Sequence, residues 1–150
     1  MADIWVMNAS PIITLAKAGR LNLLERQSER VVVPAEVADE VLAGPANDPA
    51  RQALEAGWGE RATPATVPPS ILEWGLGRGE SAVLALALRD QATAVVDDGQ
   101  ARRCARVLGV RLLGTLGIVI RAKQERRIES AADVLRSLIA AGLRLETELR

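Results

Sequence analysis

Short apolar runs alternate with helical patterns along the chain, and this alternation constrains the fold more than any other feature. Residues 4–7, 31–33 and 92–96 form such runs, and each is followed by a segment with helical spacing of its apolar residues. Runs this short and this apolar are typical of strands that are buried on both faces. Strands that alternate with helices pair in parallel, because each crossover returns the chain to the same edge of the sheet. The sequence therefore predicts an α/β fold with a mostly parallel sheet.

The composition fits one soluble domain with a substantial core. The chain has 150 residues, of which 49% are hydrophobic, and this is enough to bury a core without disulfides. Cys104 is the only cysteine, and no run of 18 apolar residues and no signal-like N-terminus is present. We expect a single domain over residues 1–150, located in the cytoplasm and without a membrane segment.

Helix boundaries follow from caps and breakers. After the first strand, Ser10 is the predicted N-cap and Pro11 the first helical residue. Further helices are predicted over residues 34–42, 49–56, 79–89, 99–108, 116–125 and 131–141, and a loop is predicted to run to Ile71. The glycine-rich residues 75–79 lack the Lys-Ser/Thr ending of a phosphate-binding loop, so we predict a flexible lead into the next helix.

Two adjacent carboxylates, Asp97 and Asp98, follow a buried strand. Ligands of open α/β sheets bind at the carboxyl ends of strands, although aspartate before glycine is also a common helix cap. Asn8, Glu40 and Glu80 are further oxygen donors next to strands or on helices. A set of oxygen donors without histidine favours Mg²⁺ or Mn²⁺ and excludes zinc. Cys104 has no histidine partner for nucleophilic catalysis, and we expect it to be buried.

The formal net charge is zero, but one segment of the chain is locally basic. A cationic face of this kind can neutralise phosphates, and it can equally be an ordinary solvated surface. The segment has one acid, Glu125, among these cations: Arg102, Arg103, Arg106, Arg111, Arg121, Lys123, Arg126 and Arg127.

Taken in order, several short motifs resemble the PIN-domain superfamily of metal-dependent ribonucleases, and within it the VapC-like toxins and their predicted nucleic-acid-binding relatives. The resemblance covers nearly the whole length of the chain. Its matching pieces are residues 6–13 with Leu15-Ala16-Lys17, Val33-Pro34 to Glu40-Val41, Gly77-Arg78-Gly79-Glu80-Ser81-Ala82, Val96-Asp97-Asp98 with Ala101-Arg102, and Gly114-Thr115-Leu116-Gly117.

The resemblance implies a three-layer α/β/α sandwich with four or five strands and a carboxylate cluster at one edge. It implies that Asn8, Glu40, Glu80 and Asp98 form the cluster, with Asp97 as an alternative in the last place. In such a nuclease, Mg²⁺ or Mn²⁺ activates a water molecule that cleaves an RNA phosphodiester. Thr115 could contact a carboxylate, and Arg102 or Arg103 could contact a substrate phosphate.

As a toxin of a type II toxin–antitoxin pair, such a protein would form a homodimer and bind a cognate antitoxin. Asn8 departs from the family pattern, which has aspartate at this position. The change removes one negative charge and so weakens attraction for a divalent ion. It is either natural, with weakened or lost activity, or an engineered change that silences a toxic nuclease.

Two other functions compete with the nuclease. A PIN-like module that binds RNA or protein without cleavage is compatible with Asn8. A phosphoacceptor receiver domain shares the strand–helix alternation, but it requires an acidic pair after the first strand, where this chain has Met7-Asn8.

Overall fold

A five-stranded parallel sheet forms the centre of the computed structural model, which describes residues 3–143. The strands are β1 (Ile4–Met7), β2 (Arg30–Val33), β3 (Glu60–Arg61), β4 (Thr93–Val95) and β5 (Arg111–Leu113). Their order across the sheet is β3-β2-β1-β4-β5, and every neighbouring pair is parallel. The predicted parallel sheet and its strand number are therefore confirmed.

Helices cover the sheet and complete a three-layer α/β/α arrangement. They are α1 (Ala9–Lys17), α2 (Asn22–Gln27), α3 (Ala35–Leu42), α4 (Pro49–Glu55), α5 (Pro69–Leu72), α6 (Arg78–Asp90), α7 (Gly99–Leu108), α8 (Thr115–Gln124) and α9 (Ala131–Ala140). Helices α1, α3 and α4 pack against one another, α3 also packs against α6, and α8 packs against α2 and α9. Among residues 3–143, no helix has the length and apolar character needed to cross a membrane.

The start of α1 differs from the prediction. The helix begins at Ala9 with Asn8 as its N-cap, so Ser10 is not the cap and Pro11 is not the first helical residue. The cause is the sheet: the Asn8 backbone N–H donates to the Val95 carbonyl over 3.0 Å and prolongs the ladder between β1 and β4. The chain then turns directly into the helix at Ala9.

A short helix, α5, replaces the loop predicted to run to Ile71. Pro69 occupies its first turn, where a missing N–H costs nothing, and Ile71 is fully buried. Burial of this one apolar side chain holds the segment against the domain.

The core lies between the sheet and its helices. Trp5 and Met7 of β1 are fully buried, as are Ile12 of α1 and Ile118 of α8. Helix α6 buries Gly79 and seven consecutive residues, 81–87, and contacts both β1 and β4. The helix that carries Glu80 is thus held by apolar packing over most of its length.

Truncation of Leu84 to alanine should strongly destabilise the protein, because its side chain is 0% exposed in the middle of α6. A buried leucine-to-alanine change costs about 2–5 kcal/mol of unfolding free energy. The matched control is Leu72→Ala, at a leucine that is 60% exposed, where we expect a change within about 0.5 kcal/mol. Urea denaturation measures both, and equal losses would contradict the packing of α6.

Candidate functional site

The carboxyl ends of the parallel strands bring polar residues to one edge of the sheet. Asn8 follows β1, Asp97 and Asp98 lie beyond the end of β4, and Thr115 follows β5 after one glycine. The same edge holds the starts of α1, α7 and α8, because each of these helices begins just after a strand. Helix N-termini carry partial positive charge, so they favour acidic side chains here.

Asn8 and Glu40 meet at Gly79, a buried glycine in the first turn of α6. A Cβ atom placed on Gly79 would lie 3.3 Å from Glu40 Oε1 and 3.6 Å from Asn8 Oδ1. Asn8 is only 6% exposed, so its side chain amide is enclosed at this contact. The absence of a side chain at residue 79 lets the end of β1, the last turn of α3 and the start of α6 approach each other.

Glu80 is the electrostatic centre of the site. Burial raises the pKa of its carboxyl group, and the negative charges of Asp98 and Glu40 raise it further. Hydrogen bonds from the Gly77 backbone and the Asn8 side chain act in the opposite direction. Glu80 therefore has Asn8, Glu40 and Asp98 as its electrostatic neighbours, and these four residues are the ones expected to form the cluster.

Glu80 also caps its own helix. Its Oε1 atom accepts from the Gly77 backbone N–H over 3.0 Å, which satisfies a donor at the N-terminus of α6. This bond orients the carboxylate at the sheet edge. The structural and functional interpretations of Glu80 are thus compatible, because capping sets the direction of the side chain.

The two adjacent aspartates have different surroundings. Asp97 accepts from Thr115 twice, at Oδ1 from the backbone N–H over 2.7 Å and at Oδ2 from the hydroxyl over 2.6 Å. Asp98 is more exposed, and its Oδ2 accepts from the Ala101 backbone N–H over 2.9 Å as the N-cap of α7. Both oxygens of Asp97 are thus engaged with the start of α8, while Asp98 adds its charge to the environment of Glu80.

Arg102 helps to hold this edge of the sheet together. Its Nη1 donates to the Val96 carbonyl over 3.1 Å, and burial lowers the pKa of its guanidinium, with Arg106 adding to the effect and Asp97 opposing it. A Cβ atom on Gly114 would lie 2.7 Å from Arg102 Nη1 and 3.1 Å from Asp97 Oδ1, so glycine leaves room for both groups. Arg102 thus joins the ends of β4 and β5.

The donor chemistry of the cluster fits a hard divalent cation, since carboxylate and amide oxygens are the ligands such ions prefer. The pKa of Glu80 is raised first by burial and then by the negative charges of Asp98 and Glu40, so acidic groups lie close to one another there. Within residues 3–143, however, no three acidic, histidine or cysteine side chains are close enough together to hold a metal ion. The described carboxylates are therefore neighbours grouped around Glu80 rather than a closed ligand set.

Sequence reasoning missed the part that two glycines play in this site. At Gly79 a side chain would crowd Glu40, and at Gly114 it would crowd Arg102 and Asp97. In the sequence both residues resemble ordinary glycines at the start of a helix. The predicted contact of the Thr115 hydroxyl with a carboxylate is present, and Cys104 is buried as predicted.

Replacement of Thr115 by valine should loosen the turn that follows β4. Valine keeps the shape of the fully buried side chain but removes the hydroxyl that donates to Asp97. Loss of a hydrogen bond to a charged group costs about 1.5–3 kcal/mol. Urea denaturation should show this loss for Thr115→Val and a smaller one for Thr115→Ser, which keeps the donor. A larger loss for the serine variant would mean that packing, not the hydrogen bond, matters at this position.

The raised pKa of Glu80 predicts a pH-dependent effect on stability in EDTA. The folded chain holds the Glu80 proton more tightly than the unfolded chain does. The resulting stability is fully present below the unfolded pKa and is lost as the pH rises through the raised folded pKa. Glu80→Gln removes the charge, so its Tm at pH 7 should exceed that of the unchanged protein. The difference should disappear at low pH, where Glu80 is protonated in the folded and the unfolded chain.

Glu60→Gln is the control for this pH experiment. The hydrogen bond from Arg30 lowers the pKa of Glu60, so the stability contributed by Glu60 is present above its unfolded pKa and is lost on acidification. Its replacement should therefore lower the Tm at pH 7, opposite in sign to Glu80→Gln. Equal signs for the two variants would contradict the raised pKa of Glu80.

Solved structures similar to this chain include the following two. The chain is similar to a PilT N-terminus domain protein, SSO1118, from the hyperthermophilic archaeon Sulfolobus solfataricus P2, with 12% identity, a TM-score of 0.47, and coverage of 95% of this chain and 97% of that chain. It is also similar to VapBC2 from Rickettsia felis, a structure bound to a DNA fragment from its promoter, with 13% identity, a TM-score of 0.48, and coverage of 74% and 98%.

None of the curated proteins matches the chain. A family model described as a PIN domain (DUF3368) matches residues 4–150, which is almost the entire sequence. PIN-domain proteins are generally nucleases that use divalent metal ions. By this match the chain belongs to the PIN-domain family.

Proposed function

We propose that this PIN-domain protein is a metal-dependent endoribonuclease, weakened or silenced at residue 8, and that it acts as the toxin of a type II toxin–antitoxin pair. The observation that carries the nuclease proposal is the grouping of Asn8, Glu40 and Asp98 around Glu80 at the carboxyl edge of the sheet. The toxin role, a cognate antitoxin, a homodimer and a cytoplasmic location follow from the sequence resemblance to VapC-like toxins.

In this proposal Glu40, Glu80 and Asp98, together with residue 8, hold Mg²⁺ or Mn²⁺. When bound, such an ion lowers the pKa of a water molecule and stabilises negative charge on a phosphate. The remaining contributions come from the chain itself. The Gly77 N–H orients Glu80, the Ala101 N–H orients Asp98, and the bonds from Thr115 to Asp97 hold the turn on which Asp98 lies.

Asn8 sets the charge of the cluster. Its neutral amide adds no repulsion to the three carboxylates, and its hydrogen bonding lowers the pKa of Glu80. An aspartate at this position would add a fourth negative charge at a site that is 6% exposed. The unliganded protein with Asn8 is therefore expected to be more stable, and to attract a divalent cation less strongly, than an Asn8→Asp variant.

The alternative function is a non-catalytic module that binds RNA or a protein. Two observations favour it: Asn8 has no charge, and among residues 3–143 no three acidic side chains form a ready metal site. The two functions differ in whether the Asn8→Asp change produces turnover.

Asn8→Asp should produce or strongly increase RNA cleavage. We expect a gain of about 100-fold, which corresponds to a barrier lower by ~2.7 kcal/mol. The measurement is cleavage of structured RNAs, including tRNA, in Mg²⁺ or Mn²⁺, by protein freed of any antitoxin. The Tm of the same variant should rise more on Mn²⁺ addition than that of the unchanged protein, because ligands that bind the folded state stabilise it.

Three controls accompany this experiment. EDTA and an added Asp98→Asn change should abolish the gain, while Asn47→Asp makes the same charge change at an exposed turn and should have no effect. Salt-sensitive binding of RNA without cleavage by any form would favour the binding module. Absence of both RNA binding and cleavage, with folded protein, would contradict the nuclease and the RNA-binding module.

A further inference from the structure

Arg78 is an exposed cation next to the carboxylate cluster. It is the first residue of α6 and lies between Gly77 and Gly79, so neither sequence neighbour has a side chain that covers it. Its guanidinium pairs with Asp39 of α3, and the two side chains are 71% and 64% exposed. A positively charged group is therefore available to solvent one residue away from Gly79, beside which the side chains of Asn8 and Glu40 lie.

The pair between Arg78 and Asp39 runs beside the site. Asp39 precedes Glu40 on α3, and Arg78 precedes Gly79 on α6. The ion pair therefore lies next to the place where Glu40 approaches Gly79. Both links join the same two helices. The ion pair is exposed to solvent, whereas Glu40 approaches α6 at the buried Gly79.

This ion pair is weakly held. Both Nη1 and Nη2 of Arg78 lie 3.5 Å from a single oxygen, Asp39 Oδ2. By comparison, Arg30 makes three bonds of 3.0–3.3 Å with both oxygens of Glu60. Exposed pairs contribute little to stability, whereas a guanidinium binds phosphate through two parallel hydrogen bonds. A phosphate that accepted two parallel hydrogen bonds would therefore bind Arg78 more strongly than Asp39 does in this geometry.

Arg102, also at this edge, is engaged differently. Arg102 is half-buried, donates to the Val96 carbonyl and lies against Asp97. Its guanidinium is held at the sheet edge, and movement toward a substrate would break its hydrogen bond to the Val96 carbonyl. A polyanion that approaches the carboxylates nevertheless needs positive charge nearby, since the cluster repels it.

We propose that Arg78 is a substrate-binding residue that contacts a backbone phosphate of the nucleic acid beside the carboxylate cluster, and that Asp39 is its partner when no nucleic acid is bound. This inference rests on the proposed function, because it assumes that nucleic acid reaches the sheet edge. It assigns Asp39 an inhibitory part: the carboxylate competes with phosphate for the same guanidinium.

The test measures binding without turnover. A fluorescein-labelled tRNA transcript is titrated with the full chain in EDTA, by fluorescence anisotropy, between about 50 and 200 mM NaCl, where phosphate contacts dominate the salt dependence. Arg78→Gln should weaken binding about 3–10-fold at the low-salt end and reduce the slope of log K against log salt by about one. Loss of a base contact would not alter this slope in the same way.

Arg136→Gln is the matched control. Arg136 pairs with Asp133 on α9, with exposed fractions of 71% and 69%, and α9 contributes no residue to the cluster. The substitution removes the same charge from an equally exposed pair. It should leave both the affinity and the salt slope close to those of the unchanged protein.

Asp39→Asn provides the second measurement. The change frees Arg78, so it should tighten tRNA binding about 2–5-fold, and the gain should disappear when Arg78→Gln is also present. A general effect of the lost negative charge would persist in the double variant, and that result would overturn the assigned competition. Circular dichroism of each variant verifies that it is folded.

The outcomes separate this inference from the function on which it rests. If the unchanged protein binds tRNA and Arg78→Gln has the same affinity and salt slope, Arg78 does not bind phosphate, and the nuclease proposal is unaffected. If none of the proteins binds tRNA even at the lowest salt concentration, the inference about Arg78 is wrong, whereas the nuclease proposal is decided by cleavage in Mg²⁺ or Mn²⁺.

Discussion

The parallel pairing of β1 with β2 on one side and β4 on the other is the constraint on which the site depends. It aligns Trp5 with Val31 and Thr93, and it continues through the backbone bond from Asn8 to Val95. Because all strands run in one direction, their carboxyl ends lie at one edge, and the helices that follow them begin there. The candidate site is a direct consequence of this geometry and of the apolar residues that bury the strands.

The same side chains cap helices and form the carboxylate cluster. Glu80 bonds to the start of α6 and Asp98 to the start of α7, and Asp97 bonds across to the start of α8. These bonds stabilise the N-terminal ends of the helices, and they also orient the carboxylates at the same edge of the sheet. Burial raises the pKa of Glu80, the charges of Asp98 and Glu40 raise it further, and a cation at this edge would offset both effects.

Asn8 contributes to this balance in two ways. Its backbone belongs to the sheet and its side chain belongs to the site, so a change of its charge acts on the cluster without altering β1. The amide lowers repulsion around Glu80 and at the same time removes a ligand charge. Stability of the unliganded protein and attraction for a cation therefore change in opposite directions at this residue.

The sequence by itself determined the strands and the parallel sheet, and its resemblance to the PIN-domain superfamily predicts that Asn8, Glu40, Glu80 and Asp98 form one cluster. Apolar runs and helical spacing are local properties, and parallel strands necessarily end together. The sequence did not determine the start of α1 or the helix α5, since a sheet hydrogen bond and the burial of Ile71 decided them.

Tertiary structure alone distinguished Asp97 from Asp98, because the difference comes from Thr115, eighteen residues further on from Asp97. Tertiary structure also decided that Arg102 donates to the Val96 carbonyl, whereas Arg78 is exposed and pairs with Asp39. Such contacts join side chains that are distant in sequence, and their partners are set by how helices pack on the sheet. Local residue patterns therefore do not predict these contacts.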